Sequence, residues 1–105
     1  MATIVVRNVF QAKYGRGDEL VNLFKEANER WGDNFGANGR ILTDLSGRFF
    51  TVVVEEEAES LGEWERLRAE GFANPEFGAW FERMIPLVES GTQEFYTLVA
   101  DTRDL

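Results

Sequence analysis

The chain contains no cysteine and no histidine. Without cysteine, disulfides, thiolate zinc sites, iron–sulfur clusters and cysteine nucleophiles are excluded. Without histidine, the commonest general base, metal ligand and proximal haem ligand are missing as well. Prolines number only two, and no apolar run approaches the roughly 20 residues that a membrane-spanning helix needs. Positive charge is scarce too: eleven Lys and Arg against nineteen Asp and Glu give a net charge of −8. Such a surface repels phosphate backbones, so nucleic acid is not expected as a partner. The opening MATIVVRNVF lacks a basic region followed by a long apolar one, so we expect no membrane partner and a cytoplasmic location.

What the chain does have is apolar bulk. Hydrophobic residues make up 44% of its 105 positions, among them nine Phe, three Trp and two Tyr. That is enough for one core without staples, and residues 1–105 read as a single domain. Any chemistry must then come from carboxylates, Arg, Lys, Tyr, Ser or Thr, or from a substrate's own reactivity.

Residues 3–11, TIVVRNVFQ, are β-branched and apolar and read as a strand. Asp18 is the expected cap of a helix over 18–31, because Leu20, Leu23, Phe24, Ala27 and Trp31 recur at helical spacing. The Gly- and Asn-rich stretch 32–39 reads as a mobile loop, in which Phe35 could plug a pocket. Residues 40–45 and 48–55 follow as strands joined by a two-residue Ser46–Gly47 turn. Ser60 and Glu63 form a capping box for a helix with Leu61, Trp64, Leu67 and Phe72 as its apolar stripe, and Gly71 is its expected left-handed end. Asn74 and Pro75 start another helix, whose stripe is Phe77, Trp80, Phe81, Met84, Ile85 and Val88. Pro86 should kink that helix or tighten its last turn, and residues 92–100 form the fourth strand.

The order βαββααβ implies an α+β, ferredoxin-like fold: a four-stranded antiparallel sheet with helices on one face and the first and third strands central. Those two strands are the most apolar. Phe50, Val52 and Val54 lie on one face of the third strand, with Phe49, Thr51 and Val53 on the other. Strand one likewise divides Ile4, Val6 and Phe10 from Val5 and Val9. Both faces look too apolar to stand in water, so we expect a homodimer through the helix-free sheet face.

Two stretches resemble the NIPSNAP-type proteins of the dimeric α/β-barrel superfamily. The first is AKYGRGDEL, similar to a Lys-x-Gly turn entering a helix. The second is EAESLGEWERLRAEGFANPEFGAWFERMIPLVESGTQEFY, which resembles the family's acidic turn, helix, Asn/Asp-Pro-Glu restart, late proline and returning strand. The family's first strand often carries an Arg and a Tyr; here Asn8 and Phe10 stand there, with Arg7 one position off. The resemblance implies a dimeric α/β barrel with cavities between sheet and helices. It also implies functions from small-molecule binding to cofactor-independent oxygenation or isomerisation of small aromatic or polyketide-like compounds. The haem branch commonly uses a His ligand, so no cofactor is expected.

The ligand-binding candidates are Arg7, Asn8, Trp64, Trp80 and Tyr96. Arg7 interrupts a central strand and reads either as a structural pair with Asp44 or Glu94 or as an anion site. Asn8 and the indole N–H groups of Trp64 and Trp80 could donate inside an apolar cavity, although core packing is the simpler account of both tryptophans. Tyr96 reads as core, interface or pocket wall. Glu55, Glu56 and Glu57 alternate across a strand and cannot converge on one metal ion, so they read as a solvated strand end. Three readings stay open: a small-molecule binder with or without catalysis, a cofactor-independent monooxygenase or isomerase, and a scaffold without a pocket.

Overall fold

The computed structural model describes residues 3–105. Its strands are β1 (Ile4–Ala12), β2 (Ala37–Thr43), β3 (Thr51–Ala58) and β4 (Val88–Thr97), and its helices are α1 (Gly17–Trp31), α2 (Leu61–Phe72) and α3 (Pro75–Met84). The strands form one antiparallel sheet in the order β2-β3-β1-β4, with the two most apolar strands at the centre. This is the α+β ferredoxin-like arrangement. No helix among the described residues is long and apolar enough to cross a membrane.

The sheet's two faces follow from strand parity. Ala12 and Val52 are buried under the helices with Leu20, Leu23, Ala27 and Trp31 of α1 and Phe77, Trp80 and Met84 of α3, and Val6 is buried on the same face of the sheet. The three tryptophan and phenylalanine rings of that set stack edge-on or tilted, Phe77 lying 5.3 Å from both Trp31 and Trp80. Trp80 also donates its Nε1–H to the Leu23 carbonyl at 2.9 Å, which ties α3 to α1 through a buried donor that would otherwise be unpaired.

Several local expectations hold. Ser60 Oγ accepts from the Glu63 amide at 3.1 Å, Asn74 accepts from the Glu76 amide, and Pro75 takes the first position of α3. Pro86 lies in a 3-10 turn, Ile85–Leu87, that tightens the end of α3.

Others need correction. Asp18 is not the cap: α1 begins at Gly17 after Arg16, with no side-chain cap, and Asp18 sits in the first turn where its charge suits the helix dipole. Gly71 does not terminate α2; it is buried, and the helix runs on to Phe72 and leaves through a right-handed Ala73. The stretch 32–39 is not a plain loop, since it holds a 3-10 turn at Gly32–Asn34 and the start of β2, bulged between Ala37 and Arg40.

The hairpin is longer than two residues, because β2 ends at Thr43 and β3 starts at Thr51. Phe50 leaves the ladder at a φ of 60°, and Asp44 closes the connection instead, its Oδ1 accepting from the Thr51 amide at 3.0 Å. Strand β3 is therefore displaced toward its C-terminus and takes in all three glutamates. Strand β4 likewise begins earlier than residue 92 and ends at Thr97.

The helix-free face is also less apolar than its sequence suggests. Val5, Val9, Val53 and Leu42 lie on it, yet a charged row crosses all four strands: Arg40 and Glu55 are paired in register, as are Glu55 and Arg7, and Arg7 and Glu94. Arg40 and Arg7 both form ion pairs with Glu55. Parity explains the row, because each of these residues points away from the helices.

Candidate functional site

A cavity of about 660 Å3 lies between the sheet and the helices. Val54, Asn8 and Phe10 contribute its floor, and Phe24, Trp80 and Met84 its helical side. Phe72 and Phe81, 63% and 45% exposed, stand at its edge, so large rings there lack full cover from the fold itself. Helix α2 explains the hollow: Gly71 is its one buried residue, whereas α1 and α3 each bury a full stripe. The expected stripe of α2 is only partly covered, Leu61 and Phe72 being exposed.

Three polar features interrupt the apolar lining. Gln93 Nε2 donates to Asn8 Oδ1 at 2.8 Å across neighbouring strands, and Asn28 stands on the α1 side. The third is a charged knot. Glu56, only 2% exposed, accepts from the Trp64 indole at 2.9 Å, from the Gly36 amide at 3.1 Å and from the Arg68 guanidinium.

Each donor has a local cause. Trp64 and Arg68 are four residues apart and so share one face of α2. Gly36 approaches so closely that a Cβ there would lie 2.1 Å from the Glu57 carbonyl oxygen, which reserves the position for glycine. Arg68 is flanked by the rings of Phe35 and Trp64, 4.6 and 5.3 Å from its guanidinium carbon. Burial pushes the guanidinium below the usual arginine range, and the adjacent Glu56 carboxylate works against that fall. The solvated reading of the three glutamates thus fails at Glu56, and at Glu55 it gives way to ion pairs on the opposite face.

The five sequence candidates divide between the two faces. Asn8 and Trp80 line the cavity. Trp64 does not line it but holds Glu56, and its ring packs edge-on against Phe95 at 5.0 Å. Arg7 and Tyr96 lie on the helix-free face. Arg7 Nε is 3.4 Å from Glu55 Oε2, an ion pair without hydrogen-bond geometry, so that buried nitrogen lacks an acceptor. Its partner is Glu55, and neither Asp44 nor Glu94 pairs with it. Tyr96 donates to Glu94 at 3.0 Å, which raises the phenol above its ordinary pKa.

Sequence reasoning missed Arg68, Glu56 and Gln93 as cavity residues. The signal for Glu56 was present, since Val52 and Val54 face the helices and position 56 continues their alternation. Among the described residues no cluster of carboxylates could hold a metal ion.

No family model and no curated protein matches the chain. Solved structures do. A NIPSNAP family protein of unknown function from Agrobacterium tumefaciens superposes with a TM-score of 0.81 at 12% identity, over 91% of this chain and 87% of its own. A second NIPSNAP family protein from the same organism gives 0.80 at 18% identity, covering 91% and 85%. The chain has the NIPSNAP fold. That fold extends to a putative antibiotic biosynthesis monooxygenase from Chloroflexus aurantiacus, with a TM-score of 0.73 at 12% identity over 95% and 96% of the two chains. Identities this low carry the NIPSNAP architecture across and leave activity to be argued from the cavity.

Proposed function

We propose that this protein binds a small apolar or aromatic molecule in the cavity between sheet and helices, and does so as a homodimer. The observation that carries the first part is the cavity: its volume and aromatic lining suit a molecule of one to three rings, and a few fixed polar groups would orient it. A scaffold with no guest would gain nothing from leaving such a space open, since unfilled apolar volume forfeits packing. Asn8, Trp80 and Arg68 are the proposed contact residues, with Trp64 acting through Glu56.

The test is calorimetric titration with naphthalene, accompanied by the tryptophan fluorescence of the Trp31→Phe/Trp64→Phe variant, in which Trp80 alone emits. We expect saturable one-to-one binding. Val54→Phe, which fills the floor, should abolish it while the circular dichroism stays unchanged. Absence of saturation in the wild-type protein would overturn the proposal.

The homodimer reading draws on the helix-free face. Arg40, Glu55, Arg7 and Glu94 alternate in sign across the sheet. A second copy turned about an axis parallel to the strands meets every charge with its opposite, Arg40 facing Glu94 and Glu55 facing Arg7. Val5, Val9, Val53 and Leu42 supply apolar area on either side of that row, and the orphaned Arg7 Nε gains an acceptor. Light scattering at micromolar concentration should report twice the 12.0 kDa chain mass; a monomer would exclude this assembly.

A second functional reading is cofactor-independent oxygenation or isomerisation of a small aromatic or polyketide-like compound. It is favoured by the structural likeness to the Chloroflexus protein and by donor side chains inside an apolar space. Oxygen uptake with a quinol, lost in Asn8→Ala, would support it. No uptake with a quinol that demonstrably binds would remove it.

A further inference from the structure

We propose that Arg68 reads an uncharged carbonyl oxygen on the molecule held in the cavity, so that the favoured ligands are neutral ketones, quinones, lactones or amides rather than carboxylic acids or plain hydrocarbons. This rests on the cavity being the ligand site. The argument begins with donors. A guanidinium has five N–H groups and no acceptor. One Arg68 nitrogen, Nη2, is engaged by Glu56, and no other acceptor for this side chain occurs among the described residues. The side chain is 14% exposed and forms part of the cavity wall. Its plane is fixed by the rings of Phe35 and Trp64. Among the described residues only Arg7 Nε is buried without a partner, so the remaining Arg68 N–H groups open onto the cavity in a fixed direction, where a carbonyl oxygen can take the place of water.

Charge then selects among acceptors. Glu56 already neutralises Arg68, and the knot as a whole carries no net charge. A carboxylate ligand would bring a second negative charge close to the Glu56 carboxylate, inside a chain whose net charge is −8. Neither Trp64 nor the Gly36 amide can compensate, because both already donate to Glu56. A hydroxyl offered as a donor finds nothing to receive it on a guanidinium. A carbonyl oxygen meets the donors, adds no charge, and can be carried on the flat apolar body that the aromatic lining accepts.

The experiment compares three probes of one skeleton by calorimetry: naphthalene, 2-acetonaphthone and 2-naphthoate. In the wild-type protein the ketone should bind about tenfold more tightly than the hydrocarbon, the effect of one net charge-assisted hydrogen bond, and the carboxylate no more tightly than the hydrocarbon. In the double variant Glu56→Gln/Arg68→Met the ratio of ketone to naphthalene affinity should fall from about tenfold to about one, whatever the change in naphthalene affinity itself. The double change avoids leaving an unpaired buried charge.

A readout independent of any variant is the carbonyl stretch of the bound ketone, which should fall to lower frequency than in hexane. Equal affinity of ketone and hydrocarbon, tighter binding of the carboxylate, a ketone preference that survives the double variant, or an unshifted carbonyl stretch would each overturn the inference and leave the cavity reading intact. If none of the three probes saturates, the cavity reading fails, and this inference with it.

Discussion

Glu55 and Glu56 are neighbours in β3, yet they inhabit opposite environments. Glu56 faces the helices, is almost wholly buried and is met by three donors. Glu55 faces away from them; its own side chain is 15% exposed, but the two arginines it pairs with are 39% and 65% exposed. The difference teaches that the sheet separates two kinds of electrostatics. On the helical side a charge survives only because the fold has surrounded it, and its partners are correspondingly irreplaceable. On the other side charges are arranged in a pattern, and water shares in their solvation.

The strongest way to break this comparison is Glu56→Ala. It strands the Arg68 guanidinium together with the Trp64 and Gly36 donors, and should cost about 3–5 kcal/mol in denaturant unfolding. A loss no larger than that at Glu55 would mean that the two faces do not differ. Next in size is the recovery expected on adding a second change: Glu56→Gln/Arg68→Met should regain most of the stability lost in Arg68→Met alone, a coupling of roughly 2 kcal/mol in a double-mutant cycle. On the outer face Glu55→Ala should cost the single chain no more than about 1 kcal/mol, because Arg7 and Arg40 can turn to solvent there, and in the proposed dimer the loss should appear as a lower dimer fraction.

A smaller thermodynamic effect sharpens the pattern argument. Glu55→Arg should lower the dimer fraction measured by light scattering, and adding Arg7→Glu should restore part of it, since residue 55 of one copy then again faces an opposite charge at residue 7 of the other, although the signs no longer alternate within one chain. Failure of the swap to restore the mass would deny the charged row any part in assembly.

Much of the fold was legible from single residues. The order of elements placed β1 and β3 at the centre, and their apolar residues on both faces agreed with it; Ser60 and Asn74 announced their helices through side-chain acceptors that act within one turn, and Pro75 through a ring that fixes the first helical φ. Errors came where a tertiary contact outranks a local preference. Phe49 and Phe50 look like strand residues, but Phe50 leaves the ladder to pack against Tyr14, 4.9 Å between ring centroids. Gly71 looks like a terminator, but its lack of a side chain serves burial beside Asn34 instead.

The cavity was legible only in part. Asn8 and Trp80 stand out as polar or indole groups on apolar elements, and both line it. Arg68 did not stand out, because α2 carries two arginines and Arg66 is an ordinary exposed partner of Glu63 and Glu70. Telling them apart requires knowing which turn of the helix stands over Glu56, and that is set by the packing of α2 on β3.

The bond between Arg68 and Glu56 has a consequence for traffic. One partner rides on a helix and the other on the sheet, so lifting α2 as a lid would pull opposite charges apart without water to receive them. A guest of the kind proposed would find α2 held in place by this pair. The exposed rings of Phe72 and Phe81 can swing aside with no such separation, so for the proposed guest the path past them would be open through side-chain rotation alone.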